Sequence, residues 1–148
     1  MKRIGKIVSM SLMAILLMAT TAAAAGKPNA NSTKTTGFNW NPVMDAIIQV
    51  ESEGNPRAVS GNSVGAMQIT PILVKECNNI LQTQKSKKRY TMADRYSVAK
   101  SKEMFLLIQS VYNPQNNVEK AIRSWNGGPK YTVRSTNRYY SKVMKLMK

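Results

Sequence analysis

Past residue 40 the chain is organised by apolar residues recurring every three or four positions, each run closed by Asn, Gly or Pro. Asn41-Pro42 predicts a helix start, with Asn as cap and Pro in the first turn, where a missing N–H costs nothing. Met44, Ile47 and Ile48 form a stripe that runs on to about Ser52, and Gly54-Asn55-Pro56 stops it. Thr70-Pro71 repeats the start signal ahead of Leu73, Cys77, Ile80 and Leu81. A third helix is expected from about Ser97, with Met104, Phe105, Ile108, Val111 and Tyr112 on its inner face and Asn113-Pro114 at its end. In the fourth, capped by Asn117, the residues Val118, Ala121, Ile122 and Trp125 recur at helical spacing before Gly127-Gly128-Pro129. The fifth is expected from about Thr136, carrying Tyr139, Tyr140, Val143 and Met147. No stretch sustains the apolar–polar alternation of a half-buried strand. The expectation is a mainly α-helical single domain with at most a minor β element.

The first 25 residues break this pattern. Lys2, Arg3 and Lys6 precede an uncharged apolar run over residues 7–20, and small residues in an A-x-A arrangement follow at 21–25. That is the layout of a secretory signal peptide cut near Ala25, and the run is shorter than the ~20 residues a spanning helix needs. Residues 26–39 are polar and rich in Asn, Thr and Gly, and read as a flexible lead-in. Residues 40–148 remain as the folded domain, enough for one core and not for two. The chain is therefore expected to be exported to the periplasm or cell envelope, with no stable membrane anchor after signal cleavage.

Charge and chemistry narrow the function classes. The signal segment takes three of the 22 basic residues and none of the seven acidic ones, so the rest of the chain carries 19 bases against seven acids. Such a balance favours anionic partners, and export argues against nucleic acid and for an acidic cell envelope. The bases are dispersed except for Lys85, Lys87, Lys88 and Arg89, which read as a solvated loop. The chain has no His, which removes His-based triads and ordinary His-ligated metal sites. Its one cysteine, Cys77, allows no intramolecular disulfide and reads as a small buried hydrophobe. Carboxylates, hydroxyls, amides and cations are left, and neither a metal nor another cofactor is expected.

Glu51 is the residue that stands out. It occupies the position on the first helix's stripe that follows Ile47 and Ile48, where a core side chain is expected. Burial there disfavours the charged form. The negative end of the helix dipole acts in the same direction. A carboxyl held protonated near neutral pH is what a general acid requires. The alternative is a partly exposed Glu at a frayed helix end, paired with Arg57.

The surroundings of Glu51 favour the first reading. Glu51-Ser52 is followed by Asn55-Pro56-x-Ala58-x-Ser60, then by Gly65-Ala66-Met67-Gln68-Ile69-Thr70-Pro71. Far downstream come Trp125-Asn126-Gly127-Gly128 and Thr136-x-x-Tyr139-x-x-Lys142-Val143. In these four pieces, in this order, the chain resembles the soluble lytic transglycosylases, the SLT-type members of the lysozyme-like superfamily. The resemblance spans about Trp40 to Met147 and implies a lysozyme-like fold. By it Glu51 is the catalytic acid, Ser52 helps orient the sugar, and Met67 and Gln68 line the cleft, with Gln68 able to offer donor and acceptor. Gly65 would let backbone approach closely. Asn126 is implied as a substrate-binding residue at a helix break, while Trp125 also completes an apolar stripe and so is equally a core residue. Tyr139 matches the late tyrosine that lies near the catalytic carboxyl, with Tyr140 as the neighbouring alternative. Two departures stand out: Ala66 replaces the usual Leu, and residues 77–96 do not follow the common pattern.

The resemblance implies a peptidoglycan lytic transglycosylase, which cuts the β-1,4 bond between N-acetylmuramic acid and N-acetylglucosamine and leaves a 1,6-anhydromuramyl end. Most glycosidases use two carboxylates; only Glu51 among the seven has a claim to this cleft, since Glu53 points away on the helix. Hydrolysis by the same acid, as in goose-type lysozymes, is the nearest alternative. A non-catalytic cationic wall-binding module and a membrane-disrupting basic helix, built on Lys142, Lys145 and Lys148, are the others. The expected partner is the peptidoglycan glycan strand, in general wall turnover or beside envelope-spanning secretion or conjugation machinery.

Overall fold

The computed structural model describes residues 37–147. The signal segment and all but the last three residues of the lead-in lie outside the described residues. Five α-helices follow in chain order: α1 (Asn41–Ser52), α2 (Pro71–Thr83), α3 (Val98–Tyr112), α4 (Val118–Gly127) and α5 (Val133–Leu146). A two-residue hairpin, β1 (Val59–Ser60) with β2 (Ser63–Val64), follows α1, and a 3-10 turn over Ala93–Tyr96 precedes α3. The domain is mainly helical with a minor β element, as expected.

Helix α1 begins at Asn41 itself, and it is the Asn39 side chain that accepts from the Asn41 N–H, at 3.1 Å. Its end is set earlier than the Gly-Asn-Pro signal: Glu53 already turns left-handed, at φ 52°, and donates its N–H to the carbonyl of Gln49. Thr70, Ser97 and Asn117 each accept a backbone N–H at the starts of α2, α3 and α4. Helix α5 starts three residues before the predicted Thr136, because Thr132 and Ser135 form a reciprocal cap.

The core gathers Trp40, Val43, Ile47, Met67, Phe105, Ile122 and Val143, with Trp40, Phe105 and Trp125 in edge-on or tilted ring contact at 5.6 and 5.2 Å. Helix α5 packs on α4 and α1, and α2 on α3. On α3, Met104 and Phe105 are buried as predicted, but Val111 and Tyr112 are exposed. The last turn of α3 buries Gln109 and then Asn113 instead. The Asn113 amide donates to Gln109 Oε1 at 3.0 Å and to the carbonyl of Asn117 at 2.8 Å, closing the corner into α4. Cys77 is fully buried, and burial, helped by the charge of Glu76, pushes its thiol up to about 12. It is an inert core residue.

Candidate active site

Helix α1 carries Glu51 to the edge of the core. Met44 and Ile47 are buried two turns and one turn before it, so the same face brings the carboxylate in at the last turn. Ser52 ends the helix, and its hydroxyl donates to the carbonyl of Ala66 at 2.8 Å and to that of Ile48 at 3.2 Å. The end of α1 is thereby fastened to the loop over residues 65–69.

That loop is held from several sides. The N–H of Gly65 donates to the carbonyl of Ala58 at 2.8 Å, and Ile69 pairs with Val64. Gln68 sits at φ 51°, and its side-chain amide donates to the carbonyls of Gly65 at 2.9 Å and Ala58 at 3.3 Å. The indole N–H of Trp125, arriving on α4, donates to the carbonyl of Met67 at 3.2 Å. Gly65 turns at φ +81° under the 3-10 turn, and a Cβ there would lie 1.9 Å from the carbonyl oxygen of Arg95. No other residue fits, because backbone occupies the space a side chain would need. The Arg95 guanidinium reaches back to the carbonyls of Asn62 at 3.1 Å and Ile69 at 3.3 Å. Ser101 donates to the Arg95 carbonyl at 3.2 Å.

Across from the loop, α5 presents Tyr139, whose hydroxyl donates to Glu51 Oε1 at 2.7 Å. The rotation of α5 is fixed by Arg123, a buried cation on α4. Arg123 donates to Glu119 Oε1 at 2.7 Å, to Thr136 Oγ1 at 3.1 Å and to the carbonyl of Val133 at 3.2 Å. Its guanidinium lies 4.2 Å from the centre of the Tyr140 ring. Of the two neighbouring tyrosines, Tyr140 therefore serves the helix interface and Tyr139 meets the carboxyl. At the start of that interface Gly127 leaves no room for a side chain: a Cβ would lie 2.7 Å from Tyr131 Cβ and 2.8 Å from Thr136 Cγ2.

Burial raises the Glu51 carboxyl above its ordinary value of 4.5, and the hydrogen bond from Tyr139 opposes part of that rise. Burial, then the charge and hydrogen bond of Glu51, push the Tyr139 phenol up, so it stays a donor. The pair is thus a carboxyl that keeps its proton more readily than a surface Glu, steadied by a neutral hydroxyl. Arg57 is exposed and forms no ion pair with Glu51, so the pairing with Arg57 is not what the carboxyl makes. The other six acids are engaged or turned elsewhere. Asp45 pairs with Lys102, Glu103 with Lys88 and Lys100, and Glu119 with Arg123. Asp94 accepts from the Thr91 N–H, Glu76 from Asn79 and Tyr112, and Glu53 is exposed beyond the end of α1.

The residues expected in the site divide into three groups. Glu51 and Tyr139 meet directly. Ser52 and Gln68 have their hydrogens on backbone carbonyls, so Gln68 offers a ligand its acceptor oxygen rather than both functions. The Met67 side chain is fully buried beneath the loop, so only its backbone takes part, through Trp125. Asn126 is exposed in the last turn of α4, next to Trp125, with no side-chain hydrogen bond among the described residues. Trp125 packs its ring on Phe105, as the core reading expected, and its indole N–H donates to the loop, a contact the sequence did not indicate. Arg95, Ser101 and Arg123 were not foreseen. The only sequence signal for Arg95 is indirect, in a glycine at position 65 that requires some close neighbour.

The family described as "Transglycosylase SLT domain" matches the chain over residues 20–147. No curated protein and no solved structure matches it.

Proposed function

The chain belongs to the transglycosylase SLT domain family, in the lysozyme-like superfamily, and from that membership we propose that it is a peptidoglycan lytic transglycosylase working through Glu51. Protonated Glu51 gives its proton to the oxygen that bridges N-acetylmuramic acid to N-acetylglucosamine. The C1–O bond breaks, and the muramyl acetamido group stabilises the positive charge at the anomeric carbon. Glu51, now a carboxylate held by the Tyr139 hydroxyl, takes the proton of the muramyl C6 hydroxyl as that oxygen closes onto C1. No water is consumed, and the product ends in a 1,6-anhydromuramyl residue.

The observation that carries this reading is a single carboxyl, raised by burial and bonded to one phenol, with five of the other six acids paired or hydrogen-bonded elsewhere and Glu53 exposed beyond the end of α1. A second carboxylate to activate water, as in an inverting site, or to attack, as in a retaining one, has no candidate here. Export through residues 1–25 is part of the same proposal, since the polymer lies outside the cytoplasmic membrane. Mass spectrometry of fragments released from purified sacculi tests it. Ends one water lighter than reducing ends are expected; reducing ends would assign hydrolysis, and no fragments at all would leave a binding module.

A further inference from the structure

Helix α5 has no acidic residue, yet its outer face carries four bases. Arg134, Arg138, Lys142 and Lys145 are all exposed. At 100° per residue they fall within about 80° of the helix circumference. Successive members are three or four residues apart, so like charges repel along the whole helix. Among the described residues the ion pairs engage Lys88, Lys100, Lys102 and Arg123, and none engages α5. The opposite face is occupied: Thr136 and Val143 are buried, and Tyr139 is bonded to Glu51. The apolar side of α5 is therefore not available for insertion into a bilayer. What remains is an uncompensated positive ridge, with Lys142 one turn from Tyr139.

We propose that this ridge binds the carboxylates of the peptide stems on the strand being cut, an assignment that rests on the glycan-cutting reading of Glu51. A strand lying over Glu51 and Tyr139 carries a peptide on each muramyl lactyl group, and those peptides bear free carboxylates. Stems on the residues flanking the scissile bond project beside α5, where Arg134 and Arg138 can take carboxylates in two-point contact and the lysines supply point charges. Binding relieves the repulsion along the helix, so the ridge and the ligand stabilise each other.

Sedimentation of the full chain with purified sacculi measures the contact, in a Glu51→Gln background that keeps the polymer intact. With all four bases replaced by Gln, affinity at low ionic strength should fall roughly tenfold or more, whereas replacing Lys142 and Lys145 by Arg, which keeps every charge and both two-point donors, should preserve it. Sacculi whose carboxyls have been converted to neutral methylamides should bind the unaltered ridge as weakly as native sacculi bind the Gln form. Equal affinity of the Gln form and its parent for native sacculi overturns the assignment, as does undiminished binding to the methylamide sacculi. So does ridge-dependent binding to phosphatidylglycerol vesicles that exceeds binding to sacculi. Cleavage is scored separately with Glu51 intact. Fragment release without any ridge effect removes the ridge alone, and ridge-dependent binding without fragment release removes the glycan-cutting reading.

Discussion

The phenol of Tyr139 donates a 2.7 Å hydrogen bond to Oε1 of Glu51, joining α5 to the end of α1 across 88 residues of sequence. Two opposed effects meet in that contact. Burial holds the proton on Glu51, while the Tyr139 bond favours the carboxylate that forms after the proton leaves. A group that must act first as acid and then as base needs both, and neither can dominate outright. The contact also depends on α4, since Arg123 sets the rotation of α5 through Thr136 and Val133.

Replacing Glu51 by Gln keeps the acceptor for Tyr139 and removes the proton donor. Cleavage of sacculi should fall by at least ~10²–10⁴-fold, the range of general acid–base participation. Stability should move the other way. Because the folded carboxyl sits above its ordinary 4.5, its stabilising contribution is full below that value and is lost as pH rises through the raised pKa. The Gln variant should therefore melt at least as high as the parent at neutral pH, with the advantage gone in acid. Thermal unfolding at two pH values checks the sign, and retained cleavage would end the assignment.

Tyr139→Phe removes the hydroxyl and leaves the ring. The bond it abolishes lowers the Glu51 pKa, so Glu51 should keep its proton to higher pH than in the parent. The alkaline limb of the kcat/KM profile should shift upward, while the maximum falls roughly tenfold as the carboxylate loses its donor. An alkaline limb that stays put would show that Tyr139 does not tune the acid.

The helical frame was legible because each element announced itself locally. Thr70-Pro71, Asn117 and the stripe of α4 carry their own start and spacing signals, and Glu51 stood out as a carboxylate on an apolar face. The contacts that make a site of them were not legible in spacing. Arg95 meets Ile69 across 26 residues, and nothing around it in sequence marks a backbone clamp. Val111 and Tyr112 fit the stripe of α3, but the amides of Gln109 and Asn113 fill that corner. Periodicity says which face could turn inward and not where the domain ends.

Gly65→Ala should be among the most damaging single changes outside the core. The added methyl would meet backbone at 1.9 Å, and φ +81° disfavours any L side chain. Overpacking against a rigid partner together with the left-handed strain should cost about 2–4 kcal/mol. Urea unfolding with an unchanged m-value reads this directly. A loss below about 0.5 kcal/mol, within the range of ordinary surface substitutions, would mean that the 3-10 turn moves aside freely.

Arg95 offers the sharpest test of how the loop is positioned. One guanidinium nitrogen bridges the carbonyls of Asn62 and Ile69, and another returns to Met92 at 3.0 Å, so a single side chain ties the hairpin, the loop and the 3-10 turn together. Arg95→Met keeps much of the aliphatic stem and removes every donor, which should destabilise the domain by about 1–3 kcal/mol. Lysine supplies one point donor on a flexible stem and should recover only part of that. Arg95 has no hydrogen bond or ion pair with Glu51, so any effect on chemistry is expected to travel through the loop that Ser52 fastens to the end of α1. If the loop's geometry matters to turnover, kcat should fall several-fold at temperatures well below the melting point, with KM for sacculi changing less. Arg95→Lys should then recover part of kcat and part of the stability together. Should stability drop while kcat stays at the parent value, the clamp would be a scaffold element only, and the loop would keep its place through Ser52, Gln68 and Trp125.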